Sequence, residues 1–479
     1  MGRSRQYKDG TSKPPVTPGP GAQGRAYSIT GIPVNTIPIR QDVDEWYHEQ
    51  NAPGGNRIQP TLITEALTAI KQRPLTDEKS YFRLAGIHAA PYAGWGGFDN
   101  PKEQDDPSFY VHNDYTCPAW HRVYMVLFEQ VMHETIIELI DAASDLTPKM
   151  RSDWKREASC WRLPYWDFSK FATHNGTPSD ELRLPILAII PNVSVKVFSS
   201  EGRLFDKCIS TTKYGLLDGY DADIWADGGQ NWLRANQALN EHPWYQNQDE
   251  WDSNPTLQDM TYRLLKYQGA SWGSFATTRA SGTDNNPKMW LNLEAIHNNV
   301  GNWVGGFMFK RPTQKPQMKL WGAGHMAEVP VAAFDPIFWL HHSNIDRLNA
   351  IWQSLNPEKW FDDDYSSVTR ENELKPFRND QGFFFKSDFV RDWRKFNYDY
   401  AITSGNRDGR QIMQDVERLY GQKTKEHYQG CPQREDYIIT VKYDRPFQIN
   451  VFFGPVDSKD FYDTRSKNFV GSVFNFSAM

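Results

Sequence analysis

The sequence predicts a mainly α-helical protein, in which a helical-bundle core with long loops precedes a small C-terminal β element. Apolar residues recur with helical spacing in several stretches of the 479-residue chain, chiefly 39–71, 118–144, 256–267, 292–304 and 335–354. Apolar and polar residues alternate with the period of a strand in three later stretches, 437–443, 447–453 and 469–476. Aromatic residues make up 14 % of the chain and include 18 Trp, so it can bury a large core.

The same patterns divide the chain into three parts. Residues 1–34 form a tail whose first 26 residues are rich in Pro, Gly and basic side chains, and we expect it to be disordered. Residues 35–400 form the helical core. Residues 401–479 form a linker and a short β segment that we expect to pack on that core. Within the core, residues 170–255 and 310–331 show little periodicity and are predicted to be loops.

Proline positions indicate where the two longest helices begin. Pro118 opens a helix through about residue 144, and Asp335-Pro336 places an N-cap before a proline at the first helical position. The second helix then carries His342 and Asp346 on one face, one turn apart. Leu163-Pro-Tyr-Trp-Asp167 is predicted to be a short extended segment that ends in a turn.

Charge and composition exclude several classes of function. A net charge of −6 and a pI near 6.1 give no basis for binding nucleic acid or an anionic membrane. No run of roughly 18 apolar residues predicts a membrane span, and the N-terminus lacks the apolar core of a secretory signal. The four cysteines form no CxxC motif, so reduced thiols are expected. We therefore expect a cytoplasmic protein.

Half of the 12 histidines cluster around two regions of the chain. His342 follows His341 on the helix after Asp335, and His297 lies on an apolar helical pattern. His112 and His121 form a matching pair upstream. Imidazoles on the inner faces of facing helices are a common way to build a metal site in a bundle. Neutral imidazole suits Cu, Zn or Fe, and the scarcity of nearby carboxylates disfavours Mg and Ca.

Three other interpretations remain open from the residues alone. Any single buried histidine can be a hydrogen-bonded core residue. A carboxylate-bridged di-iron site requires Glu-x-x-His on two helices, and Glu294-x-x-His297 and Glu45-x-x-His48 formally match, although Glu45 lies in a highly polar stretch. A serine or cysteine hydrolase has less support, because the sequence contains no Gly-x-Ser-x-Gly or comparable nucleophile motif.

Six segments resemble the tyrosinase and catechol oxidase family of type-3 copper proteins, in particular the short fungal tyrosinases. They are Ala85-Gly-Ile-His88-Ala-Ala-Pro-Tyr, His112-x4-Cys117-Pro-Ala-Trp120-His121-Arg122 with Glu129, Leu163-Pro-Tyr-Trp-Asp167, Glu294-Ala-Ile-His297, Asp335-Pro-x-Phe-x-Leu-His-His342-x3-Asp346-Arg347, and Asp436-Tyr-Ile-Ile-Thr-Val-Lys-Tyr-Asp-Arg. The similarity covers roughly residues 35–479, so residues 35–400 would be a tyrosinase-like copper-binding helical core.

The resemblance implies a role for each matching position. Copper A would be held by His88, His112 and His121, and copper B by His297 and His342. Three further residues would act on the substrate or its protons: Glu294 would orient a water, Asn298 would help to deprotonate a phenol through it, and Val329 would form a small gate over copper A.

The sequence departs from the family pattern at three positions. Gly301 stands where the family has its second copper-B histidine, so the copper-B site is incomplete and would need a water or another donor, such as His325. Tyr110 occupies the place of a cysteine that in fungal members forms a thioether with the second copper-A ligand. Cys117 replaces the usual phenylalanine and is expected to be a small core residue or an unusual thiol near copper.

The function that the resemblance implies is the oxidation of phenols or o-diphenols by O2 to o-quinones at a histidine-ligated copper pair. Because of Gly301, the alternatives are a mononuclear copper oxidase with altered chemistry and a non-catalytic relative. The expected partners are a small phenolic substrate and O2. The chain stops at Met479, so we expect no C-terminal lid domain over the site.

Overall fold

A computed structural model of the chain confirms the mainly α-helical class. It describes residues 27–99, 108–174, 177–179, 181–190, 192–198, 204–210, 231–240, 256–267, 269–279, 291–305, 325–362, 368–421, 447–452 and 469–475. The helices are α1 Val43–Asn51, α2 Ile58–Gln72, α3 Tyr81–Ala85, α4 Cys117–Ala142, α5 Pro148–Cys160, α6 Ile186–Ile189, α7 Asn231–Asn240, α8 Leu257–Lys266, α9 Trp272–Ala276, α10 Leu293–Val304, α11 Ile337–Leu355, α12 Ser387–Val390 and α13 Gly409–Tyr420. Short 3-10 helices span His325–Ala327, Val329–Phe334 and Trp393–Phe396.

The strands in this described part form small two-stranded sheets. They are β1 Ile39–Arg40, β2 Thr173–His174, β3 Thr177–Pro178, β4 Asn192–Phe198, β5 Leu204–Ser210, β6 Glu373–Arg378, β7 Phe384–Lys386, β8 Asp399–Tyr400, β9 Phe447–Phe452 and β10 Phe469–Asn475. β1 pairs with β8 in parallel, whereas β2–β3, β4–β5, β6–β7 and β9–β10 are antiparallel. Two of the three predicted C-terminal strands therefore form a pair; the third prediction, 437–443, lies outside the described residues.

The two longest helices, α4 and α11, lie at the centre of the molecule. Most residues of α4 and nearly all residues of α11 are buried, as expected for helices that are covered on most sides. α4 packs against α2, α5 and α11, and α10 packs against α11. Pro118 lies in the first turn of α4, and Asp335 accepts a hydrogen bond from Ile337 N at 3.2 Å at the start of α11. These starts agree with the sequence prediction.

A buried ionic cluster fixes α4 against α11. Asp346, one turn after His342, accepts hydrogen bonds from Arg122 Nε at 2.5 Å and from Arg40 Nη1 at 3.3 Å. Tyr398 and Tyr400 donate their hydroxyls to the same carboxylate at 2.6 and 2.7 Å. Arg122 directly follows His121, so this cluster sets the relative position of two candidate metal ligands.

Three regions differ from their sequence predictions. Residues 27–34 belong to the folded core rather than to the tail, because Ile29 and Ile32 are buried. The loop predicted at 170–255 contains the β4–β5 hairpin and α7, and the loop at 310–331 contains a short 3-10 helix at His325–Ala327. The C-terminal linker includes α13, which packs against α8 and α11. The Asn-Val-Ser-Val-Lys-Val-Phe sequence of β4 does alternate with the period of a strand, and that signal was missed.

Within the described part of the chain, the search for membrane-spanning segments finds no helix with the length and apolarity to cross a bilayer.

Asp42 at the start of α1 is expected to make stability depend on pH. It caps α1 by accepting from Asp44 N at 3.0 Å and Glu45 N at 3.2 Å. Burial raises its pKa from 3.8 to about 7, although Lys170 opposes the shift. The folded state therefore holds a proton that the unfolded state loses, so this contribution is complete below pH 3.8 and is lost as the pH rises through about 7.

We predict that Asp42→Asn removes this dependence, because Asn caps helices about as well as Asp and cannot ionise. Thermal unfolding at a series of pH values checks it. Between pH 5 and pH 8 the melting temperature of the wild type should fall more than that of Asp42→Asn. Parallel curves of melting temperature against pH would contradict the prediction.

Candidate metal centre

Backbone carbonyl oxygens hold three buried imidazoles in one tautomer. His88 Nδ1 lies 2.9 Å from Val329 O, His121 Nδ1 lies 2.9 Å from Cys117 O, and His342 Nδ1 lies 2.9 Å from Phe338 O. A carbonyl oxygen only accepts, so each Nδ1 must carry the proton and each Nε2 keeps its lone pair. This arrangement of the second ring nitrogen is typical of metal-ligating histidines.

The five predicted histidines lie together in two overlapping groups. The ligand atoms of His88, His112 and His121 lie within 4.8 Å of one another, and so do those of His121, His297 and His342. The Nε2 atoms of the first three have no hydrogen-bond partner among the described residues. Buried polar atoms are normally paired, so a shared unpaired set indicates a missing ligand such as an ion.

The contact between His297 and His342 also indicates a missing cation. Their Nε2 atoms lie only 2.9 Å apart. His342 carries its proton on Nδ1, and His297 Nδ1 lies 2.8 Å from Asn298 Oδ1, which accepts a hydrogen bond from the Nδ1–H group. Two lone pairs therefore face each other, and a cation bound to both would remove the repulsion.

Burial keeps these imidazoles neutral. It lowers the pKa of His88 to about 3 and the pKa of His297 to about 4. Burial and the neighbouring imidazoles likewise lower the pKa values of His112, His121 and His342 well below their ordinary range. Neutral imidazoles without a nearby charged carboxylate ligand suit copper, zinc or iron.

A cavity opens onto the histidines from the 3-10 segment at 325–334. It contains about 380 Å³ of empty space, part of it open to solvent. Its walls are formed by His88, His112, His297, Asn298, Gly301, Asn302, Met326, Ala327, Val329, Ala332, Phe338, His341 and His342.

Known proteins share both the sequence and the fold. The common central domain of tyrosinase matches residues 78–355. A tyrosinase of Aspergillus fumigatus is 38 % identical, over 95 % of this chain and 79 % of its own length. The chain belongs to the tyrosinase family. Polyphenol oxidase 4 of Agaricus bisporus is 29 % identical, and the match covers 76 % of this chain and 58 % of that protein.

Solved structures of this family have the same fold as this chain. The melB apo-protyrosinase of Aspergillus oryzae superposes with a TM-score of 0.78 at 50 % identity, over 95 % of this chain and 85 % of that one. Its holo form gives 0.78 at 51 % identity, over 94 % and 86 %. The predicted resemblance to fungal tyrosinases is thereby confirmed, and with it a family that binds copper.

The three residues predicted to act in the reaction of this tyrosinase-family protein occupy different places. Asn298 and Val329 both line the cavity. Glu294 is buried and is not among the lining residues. Its Oε1 accepts from Asn113 N at 2.5 Å, and its Oε2 accepts from Thr277 Oγ1 and Thr278 N, both at 2.7 Å. Glu294 thus anchors the loop that carries His112. Its role in orienting a water remains a prediction.

We predict that Glu294→Gln lowers copper affinity ~10–100-fold, the usual cost of losing support behind a metal ligand. The backbone N–H groups of Asn113 and Thr278 point at opposite oxygens, so the new amide NH2 must face one of them. Copper titration against a chelator checks it. The control is Glu138→Gln, which loses only an exposed pair with Arg73. Equal affinities in the two variants would contradict the prediction.

The three departures from the family pattern lie at or beside the site. Gly301 lines the cavity, and a Cβ atom added there would meet only Met326 O, at 3.3 Å. The Tyr110 ring stacks on His88, with centroids 5.2 Å apart, and lies 4.7 Å from His112. Cys117 is buried, its Sγ lies 3.7 Å from His121 Nδ1, and burial raises the pKa of its thiol.

Sequence reasoning missed two residues of the site. Phe338 packs on His342, with centroids 3.9 Å apart, and its spacing of four before His342 could have indicated this contact. His341 also lines the cavity, although it was treated only as a neighbour of His342. His325, considered as a substitute donor, is not among the lining residues.

Proposed function

We propose that this protein is a copper-dependent oxidoreductase that oxidises phenols or o-diphenols with O2 to o-quinones. The observation that carries the proposal is the convergence of five neutral imidazoles, four of which line one cavity and three of which have Nδ1–H fixed by a backbone carbonyl. The tyrosinase and polyphenol oxidase names of the relatives support the substrate class.

Copper held by such imidazoles supplies the electron transfer between a phenol and O2. His88, His112 and His121 would hold one ion, and His297 and His342 would contribute to a second. Each o-diphenol that becomes an o-quinone gives up two electrons and two protons, so two o-diphenols together reduce one O2 to two molecules of water.

The cavity residues bind and orient the substrate. Phe338 and the small side chains of Val329 and Ala332 form an apolar wall that fits an aromatic ring. Asn298 lies at the same wall with its Oδ1 beside His297, so its amide is within reach of a water that accepts the phenol's proton.

Gly301 favours a second candidate, a mononuclear copper oxidase or a non-catalytic member of the family. Glycine offers no ligand atom at a position that faces the cavity. The five histidines can then complete one three-imidazole site but not two.

Oxygen uptake by copper-loaded protein with catechol and with a monophenol tests the proposal, with copper per chain measured on the same sample. Uptake with catechol that a copper chelator abolishes is the expected result. No uptake by a sample with two coppers per chain would contradict it. The second candidate would be favoured if the wild type bound one copper per chain and consumed no oxygen, while Gly301→His bound two coppers and consumed oxygen.

We predict that Val329→Phe raises KM for ring-substituted catechols at least about tenfold more than for catechol, since a large side chain narrows the cavity. His88 bonds to the backbone oxygen of Val329, so copper content should not change. Steady-state oxygen uptake over a series of catechols checks it. Equal changes in KM for all the catechols, or loss of copper, would contradict the assignment of Val329 as the gate over copper A.

A further inference from the structure

Two copper sites with three imidazoles each need six histidines, and the two groups described above contain only five. His121 belongs to both groups, but its single Nε2 lone pair can bind only one ion. If His121 serves the ion at His88 and His112, the second ion has only His297 and His342. The missing donor must lie near these two residues and face the cavity.

His341 is a sixth imidazole with no partner for either ring nitrogen among the described residues. It is fully buried and lines the same cavity. Its ring centroid lies 5.1 Å from that of His297 and 4.9 Å from that of His342. A neutral imidazole has one donor and one acceptor, and leaving both unpaired inside a protein is costly.

Gly301 and His341 both line the cavity, and Gly301 has no side chain to fill it. His341 lies outside the two groups whose ligand atoms are within 4.8 Å of one another, so its ring must turn toward His297 to share an ion with it. The Phe168 ring also packs near His341, with centroids 5.5 Å apart, and no hydrogen bond from a described residue holds the present orientation of the imidazole.

We propose that His341 supplies the third imidazole of the second copper site, in place of a side chain at position 301. This inference rests on the proposed copper-dependent function. It makes the site complete with six histidines, of which two are consecutive on α11. The competing donors at this cavity are a water molecule and the Met326 thioether.

Copper per chain in four proteins tests the proposal: wild type, His341→Phe, Gly301→His/His341→Phe and the control His133→Phe. Like His341, His133 has a buried Nε2 with no hydrogen-bond partner among the described residues. It lies on α4, twelve residues after the ligand His121 and therefore about 18 Å from it along the helix. Each protein is loaded with copper, dialysed and analysed by mass spectrometry. Circular dichroism establishes that each variant is folded.

The proposal expects two coppers in the wild type and the control, one in His341→Phe, and two again in the double variant. Wild-type copper content in His341→Phe would overturn it, as would a wild type with only one copper. X-ray absorption adds a second readout: the number of imidazole scatterers per copper should fall in His341→Phe. A sulfur scatterer in the wild type would overturn the proposal in favour of Met326.

Oxygen uptake with catechol separates this inference from the proposed function. A wild type that holds two coppers through His341 and oxidises no phenol would contradict the function alone. A wild type that oxidises catechol while His341→Phe keeps its full copper content would contradict the inference alone.

Discussion

Replacement of Asp346 by Asn is expected to lower the free energy of unfolding by ~3–5 kcal/mol, the usual cost of removing one partner of a buried ion pair. Asp346 is buried between Arg122 and Arg40, so the change removes the carboxylate that pairs with the buried Arg122 and leaves Arg40 with Glu129 alone. Denaturant unfolding of the metal-free proteins measures the difference.

Asp153→Asn is the matched control for this change. Its carboxylate pairs with Arg156 at 2.9 Å on the exposed face of α5. Exposed pairs contribute ~0–1 kcal/mol, so this variant should unfold almost as the wild type does. Similar losses in Asp346→Asn and Asp153→Asn would contradict the assignment of Asp346 as the link between α4 and α11.

The same cluster predicts a loss of stability in acid. Burial raises the pKa of Asp346, but Arg122 and Arg40 outweigh it and hold the pKa below 3.8. The unfolded state therefore binds this proton first, and the contribution is lost as the pH falls through the folded pKa. Below pH 3.8 the difference in stability between the wild type and Asp346→Asn should shrink.

His121→Phe is expected to reduce copper affinity by more than ~100-fold, beyond the cost of losing an outer support, and to abolish oxygen uptake with phenols. His121 is the one histidine that both groups contain, and it joins α4 to the ligands on α10 and α11. Copper titration and oxygen uptake measure the two effects.

His133→Phe on the same helix is the matched control, because it removes a partly buried imidazole without touching the site. It should keep its copper and its activity. Retention of both coppers and of catechol oxidation in His121→Phe would contradict the metal centre described above.

Local sequence signals predict the parts of this fold in which neighbouring residues determine the structure. Proline and capping residues define the starts of α4 and α11, and helical spacing puts His297 and His342 on buried faces. His112 was recognised only as a histidine paired in sequence with His121, and His88 came from the family resemblance, because a loop has no periodicity that could place either side chain.

Long-range contacts explain what the sequence did not predict. Asp346 is visibly one turn after His342, but its partner Arg40 is 306 residues away in the chain. Similarly, the resemblance gave Glu294 the role of orienting a water, and the sequence did not indicate that its carboxylate accepts a hydrogen bond from Asn113 N, 181 residues away. The importance of His341 depends on the space at Gly301, which only the packed structure reveals.

An anomalous difference map at the copper absorption edge, from crystals of the copper-loaded protein, tests the central claim most directly. The claim predicts two peaks, one bound by His88, His112 and His121, and the other by His297, His342 and His341. A single peak, or a second peak without an imidazole from His341, would contradict the six-histidine site. No peak at the cavity would contradict the copper centre itself.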